Sequence, residues 1–119
     1  MDKINLAEKL KLFEEYWNPK IIGECNDAHL KLAKLKGIFD WHHHENEDEL
    51  FFVIKGHLTI HFRDRSLQLD PGELVVIPKG TEHCPEAPQE VHVLLIEPKG
   101  TLNTGNVVTD KTRPSLERI

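Results

Sequence analysis

The chain has 119 residues, with 15 Lys or Arg, 20 Asp or Glu and 8 His, for a formal net charge of −5. That length fits one domain built on a single core. The acidic balance argues against nucleic-acid binding, no apolar stretch approaches the roughly 18 residues of a membrane span, and the first residues lack a signal-peptide pattern.

The first predicted element is a helix over residues 6–13. Asn5 is a good N-cap with Glu8 three positions on, and Leu6, Leu10 and Phe13 fall on one face. Trp17 and Pro19 end it. Strands over residues 20–25 and 28–36 flank Asn26-Asp27, a hairpin turn. A strand over residues 50–55 runs into Gly56 and then residues 57–63, where Leu58, Ile60 and Phe62 alternate with His57, Thr59, His61 and Arg63. Period two is the signature of a strand with one buried face. Asp64-Arg65 turns the chain into residues 66–69, and Asp70-Pro71-Gly72-Glu73 is a further turn. Residues 74–77 form a short apolar strand ended by Pro78-Lys79-Gly80, and residues 91–96 form another, ended by Pro98. From Gly100 onward the chain is polar, an extended cover or a partly disordered segment.

Many short strands separated by Gly and Pro turns predict an all-β sandwich or barrel with one short N-terminal helix. Without crossover helices a parallel α/β fold is excluded. The organisation is a single domain, 1–119, with an N-terminal helix and arm at 1–19, a barrel at 20–99 and a tail at 100–119. Cys25 and Cys84 lie far apart and form no CxxC, which predicts two reduced thiols and a cytoplasmic protein.

Histidine is the surplus to explain. His42, His43 and His44 are consecutive and internal. Alternate residues of a strand share a face, so His42 and His44 can present two imidazoles to one point while His43 faces away as an exposed neighbour. Glu49 has the wrong parity for a straight strand, so a turn over the polar residues 45–48 must bring it back; Asp48, its nearest rival, then faces the other way. His83, just after the Pro78-Lys79-Gly80 turn, offers a fourth group. Neutral imidazoles with one carboxylate suit a divalent Zn, Mn, Fe, Ni or Cu ion.

The joint spacing resembles the cupin superfamily. Its motif G-x(4–5)-HxH-x(3–4)-E-x6-G matches Gly37, His42, His44, Glu49 and Gly56, and its motif G-x5-PxG-x2-H-x3-N matches Gly72, Pro78, Gly80 and His83. Ala87 departs from the second motif, standing where Asn is common. The resemblance implies a double-stranded β-helix, a jelly-roll-like barrel of two antiparallel sheets. It also implies His42, His44, Glu49 and His83 as ligands of one divalent metal ion (Zn, Mn, Fe or Ni) inside the barrel.

Other residues fall near that site by parity. Phe39 and Trp41 lead into His42 and either wall the cavity mouth or serve as core or dimer-contact aromatics. Phe51 and Val53 share parity with Glu49 and are candidate pocket walls. His92 and His29 are the catalytic candidates, each weighed against an ordinary structural role. Cys84 reads as a buried, inert thiol.

The chain is similar to small single-domain bacterial cupins labelled mannose-6-phosphate isomerase-like, yet its basic residues are scattered. Lys79 and Arg63 are the only nominees for holding a phosphate. The expectation is a metal-dependent enzyme on a small polar metabolite, sugar isomerase/epimerase-like or dioxygenase-like. The alternatives are a non-catalytic small-molecule binding or sensor module and a structural cupin with a vestigial site. The expected partners are a small-molecule ligand and a second copy in a homodimer, with residues 20–25 and Trp17 as contacts, and no nucleic acid or membrane.

Overall fold

In the computed structural model, which describes residues 1–119, the N-terminal helix α1 spans only Leu6–Leu10. Asn5 caps it, its side chain accepting from the Glu8 amide at 2.9 Å. The helix stops short of the expected Phe13 because its last bonds tighten into a turn, with the Lys11 amide donating to the Glu8 carbonyl at 3.2 Å and the Leu12 amide to the Lys9 carbonyl at 3.1 Å. A five-residue helix has no stability of its own. It is held because Leu10 and Phe13 pack with Ile22 and Leu32 on the outside of the sheet.

Seven antiparallel strands follow: β1 Lys20–Cys25, β2 Ala28–Ile38, β3 Glu49–Lys55, β4 Leu58–Phe62, β5 Ser66–Leu69, β6 Leu74–Ile77 and β7 His83–Pro98. Asn26 turns β1 into β2 at φ 53, a left-handed conformation that Asn tolerates. One sheet has the order β1-β2-β7-β3-β6, and β4 joins β5 to β7 on the other side. The molecule is thus the expected β-barrel of two antiparallel sheets with one short helix.

The long strand β7 joins the two sheets. The sequence reading placed a strand only at residues 91–96, because Pro85 and Pro88 break the donor pattern of a ladder. The structure starts it at His83, with residues 83–86 paired to β4. Pro85 contributes its carbonyl instead, accepting from the Phe39 amide at 2.9 Å. Pro88 falls in the exposed stretch between the Gly37↔Ala87 and Leu35↔Val91 pairs. Gly37 sits at that register shift with φ 90, which lets β2 bend from one sheet into the other.

Inside the barrel, alternation is strict. Val91, Val93 and Leu95 of β7 meet Phe51 and Val53 of β3, Leu58 and Ile60 of β4 and Ala33 and Leu35 of β2 in one buried cluster. The tail beyond Gly100 packs as a cover. Asn106 donates its amide to the His43 carbonyl at 3.0 Å and accepts from the His43 amide at 2.8 Å. Buried Thr104 bonds Thr112 at 2.7 Å, and the Ile119 amide reaches the Ile21 carbonyl at 3.0 Å. Gly105 lies so close to the loop that a Cβ there would collide with the His43 carbonyl oxygen. No helix is long and apolar enough to cross a membrane.

Candidate metal centre

His42, His44, Glu49 and His83 converge, with one ligand atom from each lying within 4.8 Å of all the others. All four are buried, His83 completely. Backbone bonds build this convergence. His42 and His83 exchange amide-to-carbonyl bonds of 3.1 and 2.9 Å, which brings the strand entering from β2 against the start of β7. The Gly80 amide donates to the His44 carbonyl at 2.8 Å, and the Lys79 amide donates to Asp48 Oδ1 at 2.9 Å. Asp48, the rival carboxylate, is therefore spent on fastening the Pro-Lys-Gly turn to the histidine loop. Glu49 opens β3 and points inward with Phe51 and Val53.

The protonation pattern suits a cation. His42 Nδ1 lies 2.8 Å from the Asp40 carbonyl and His83 Nδ1 lies 2.9 Å from the Thr81 carbonyl. A carbonyl only accepts, so each Nδ1 carries the proton and each neutral ring turns a bare Nε2 lone pair to the centre. Burial, reinforced by the neighbouring His83 imidazole, pushes His42 down to about 4, which keeps it neutral at pH 7. His83 Nε2 lies 3.3 Å and His44 Nε2 3.4 Å from the same atom, Glu49 Oε1. His44 Nε2 is buried with no hydrogen-bond partner at all. Lone pairs aimed at a carboxylate oxygen need a cation between them, so the residues fit a divalent metal ion.

A second carboxyl stands against Glu49. Glu97, at the inward position of β7 after Leu95, is buried and accepts from the buried Lys31 ammonium at 2.6 Å through Oε1. Its Oε2 has no partner. Burial and the Glu49 carboxylate push Glu97 well above the usual carboxylate range, with Lys31 opposing. Burial also resists ionisation of Glu49, but the His44 and His83 imidazoles set against its Oε1 overcome it and hold Glu49 well below that range. Sequence parity could have found Glu97, since it is the one charge on the inward face of Val91, Val93 and Leu95.

Beside the cluster opens a small pocket of about 40 Å³, which His42, Glu49 and Glu97 help to line. Phe39 and Phe51 are walls of it, Phe39 edge-on to His42 at 5.2 Å and Phe51 edge-on to His83 at 6.4 Å. Trp17 and Asn103 also line it and carried no signal in the sequence, because a turn and the tail deliver them.

Four sequence-predicted residues lie elsewhere. Trp41 is not a wall of this pocket; the backbone is no longer a strand there, and its ring packs under the Arg63 guanidinium at 3.9 Å. Val53 sits two residues deeper along β3 than Phe51 and is core. His92 points outward, since Val91 and Val93 point inward, and it pairs with Glu90 at 2.6 Å. His29 shares the face of Lys31 but turns to Glu24, 3.6 Å away, and Arg118, 3.4 Å away. Of the phosphate nominees, Arg63 pairs with Glu82 and neither it nor Lys79 lines the pocket. Cys84 is buried, its thiol raised chiefly by burial, and it bonds the Phe39 carbonyl at 3.3 Å.

The cupin domain family described as Cupin_2 matches residues 30–97. A cupin-2 domain containing protein from Shewanella frigidimarina superposes with a TM-score of 0.80 at 47% identity, covering 81% of this chain and 94% of that one. The chain belongs to the cupin family. The uncharacterized protein YdbB of Bacillus subtilis (strain 168) is 46% identical to this cupin over 63 residues, which is 52% of the chain and 56% of YdbB. An acireductone dioxygenase of Exiguobacterium sibiricum is 32% identical over 67 residues, or 52% of the chain and 37% of that protein. The cupin thus spans about half or less of the length of these two curated relatives.

Proposed function

We propose that this cupin holds one divalent metal ion on His42, His44, Glu49 and His83 and is a metal-dependent enzyme acting on a small metabolite. The observation that carries the proposal is the buried, unpartnered Nε2 of His44, 3.4 Å from a carboxylate oxygen and among two further imidazoles. A metal bound there supplies a Lewis acid that polarises a substrate oxygen. The chain's own residues do the rest. The Asp40 and Thr81 carbonyls hold two imidazoles in the ligating tautomer, and the aromatic walls exclude water. Glu97 Oε2 offers a hydrogen-bonding atom beside the cluster. The similarity to an acireductone dioxygenase supports the dioxygenase-like reaction over the isomerase-like one. The absence of any lysine or arginine from the pocket lining weighs the same way against a sugar phosphate.

A turnover screen of the metal-loaded protein under air, with sugars, organic acids and enediols, tests this reading. The expected result is conversion that chelation removes and metal restores. Binding without conversion of any bound compound contradicts the enzyme and leaves the non-catalytic binding or sensor module.

The homodimer remains our reading of assembly, through a different face from residues 20–25 and Trp17. The Ile21 edge is met by Glu117 and Ile119, and Trp17 stacks on Phe39. Leu74 and Val76 of β6 are 54% and 51% exposed and stand in register with Phe52 and Leu50 of β3. Those four side chains extend the apolar outer face beyond what α1 covers, and an antiparallel face of this kind is self-complementary about a two-fold axis. Sedimentation at micromolar concentration is expected to give a dimer that Leu74→Glu/Val76→Glu converts to monomer. A monomeric wild type contradicts it. The charge of −5 supports a partner set without nucleic acid, and the free thiols Cys25 and Cys84 support the cytoplasm.

A further inference from the structure

We infer that the pocket takes an unphosphorylated ligand with an apolar body and a small metal-ligating head. The head meets the metal, and the body lies against the Trp17–Phe39 wall. For the head, the inference rests on the metal reading above; for the body, it rests on the walls alone.

Three of the four polar lining residues belong to the metal cluster or stand against it. These are His42, Glu49 and Glu97, and the rest of the surface is aromatic and aliphatic, closed by Trp17, Phe39, Phe51 and Leu95. Only Asn103, from the tail, adds a polar group. A polyhydroxylated sugar would leave most of its hydroxyls facing carbon, and an unpaired buried hydroxyl is costly. A phosphate would find no cation. Lys31, the nearest, is consumed by Glu97 at 2.6 Å, and Lys34 donates to the Phe13 carbonyl at 2.7 Å.

The aromatic wall is held in place rather than left to chance. Trp17 adopts φ 56, a left-handed conformation rare for a bulky residue. Its amide donates to the Lys34 carbonyl at 2.9 Å and its indole Nε1 to the Lys36 carbonyl at 2.8 Å. Those two bonds to β2 lay the ring on Phe39, with centroids 4.8 Å apart and planes 26° apart. Strain of this kind persists where the surroundings over-determine it, and here the product is one flat apolar surface beside the metal ligands.

The test compares two hydroxamates with the same chelating head, benzohydroxamate and acetohydroxamate, by calorimetry on Zn²⁺-loaded protein. Exchanging a methyl for a buried phenyl is expected to tighten binding about tenfold or more. Trp17→Ala is expected to shrink that ratio at least about threefold, weakening benzohydroxamate more than acetohydroxamate. Equal affinities for the two, or tighter binding of fructose 6-phosphate, overturn the inference; the wild-type comparison alone decides it if the variant does not fold. Zinc content measured first on the same sample separates the two failures. If no zinc is held, the metal reading falls, and the apolar-body claim is then read from phenol quenching of Trp17 in chelator-treated Trp41→Phe protein. Saturable quenching upholds that claim, and no quenching overturns it.

Discussion

His83→Ala is expected to abolish stoichiometric divalent-metal binding, weakening it at least about 100-fold, the upper range for losing even a supporting group of a metal site. His83 is the fully buried ligand and sits at the hub of the cluster, 3.3 Å from Glu49 Oε1 and with its ring 4.3 Å from that of His42. Its removal takes away one of three imidazoles and opens a hole that water fills poorly. His43→Ala is the matched control. It deletes a histidine from the same run, but one whose ring faces outward to Glu45 at 2.6 Å. Metal analysis after purification without chelator is expected to give one equivalent in the wild type and in His43→Ala, and none in His83→Ala. Equal content in all three contradicts the assignment.

Lys31→Met is expected to destabilise the fold by about 3 kcal/mol, the lower end of the cost of stripping one partner from a buried ion pair. The lower end applies because Glu97, already pushed upward by burial and by Glu49, escapes part of the penalty by taking up a proton. The 2.6 Å bond is lost in any case, and a carboxyl is left against Glu49 in the barrel with Oε1 unpaired as well as Oε2. Adding Glu97→Gln removes the titratable group and is expected to recover at least half of the loss. Chemical denaturation of the three proteins measures both terms. A cost below about 1 kcal/mol for Lys31→Met, the size of an ordinary surface pair, contradicts a buried pair.

The barrel was legible wherever local patterning and tertiary packing demand the same thing. Leu58, Ile60 and Phe62 alternate because one face of β4 is core, and the Asn26-Asp27 turn is where it was expected. The ligand set was legible from motif spacing, since HxH parity and two Gly/Pro turns survive in one dimension. What escaped was set by distant partners. The first half of β7 hides behind Pro85 and Pro88, whose missing donors cost nothing where the chain is bulged or only its carbonyl is used. Trp41 and Phe39 look equivalent along the chain, yet β2 ends at Ile38, before both, and the irregular backbone that follows sends one to Arg63 and the other to the pocket. His92 was a candidate because it lies in an apolar strand, and His29 because it shares a strand face with Lys31. Direction settles the first, which faces outward, and Glu24 and Arg118 draw off the second. Trp17 and Asn103 belong to no periodic segment, so only the folded chain brings them to the mouth.

Anomalous scattering from a crystal of the protein purified without chelator, recorded on either side of the edge of the metal found by elemental analysis, reads the metal centre directly. The expected result is one peak per chain, within coordination distance of His42 Nε2, His44 Nε2, His83 Nε2 and a Glu49 oxygen. A fully soaked crystal with no peak there, or with a peak only at surface residues, contradicts it.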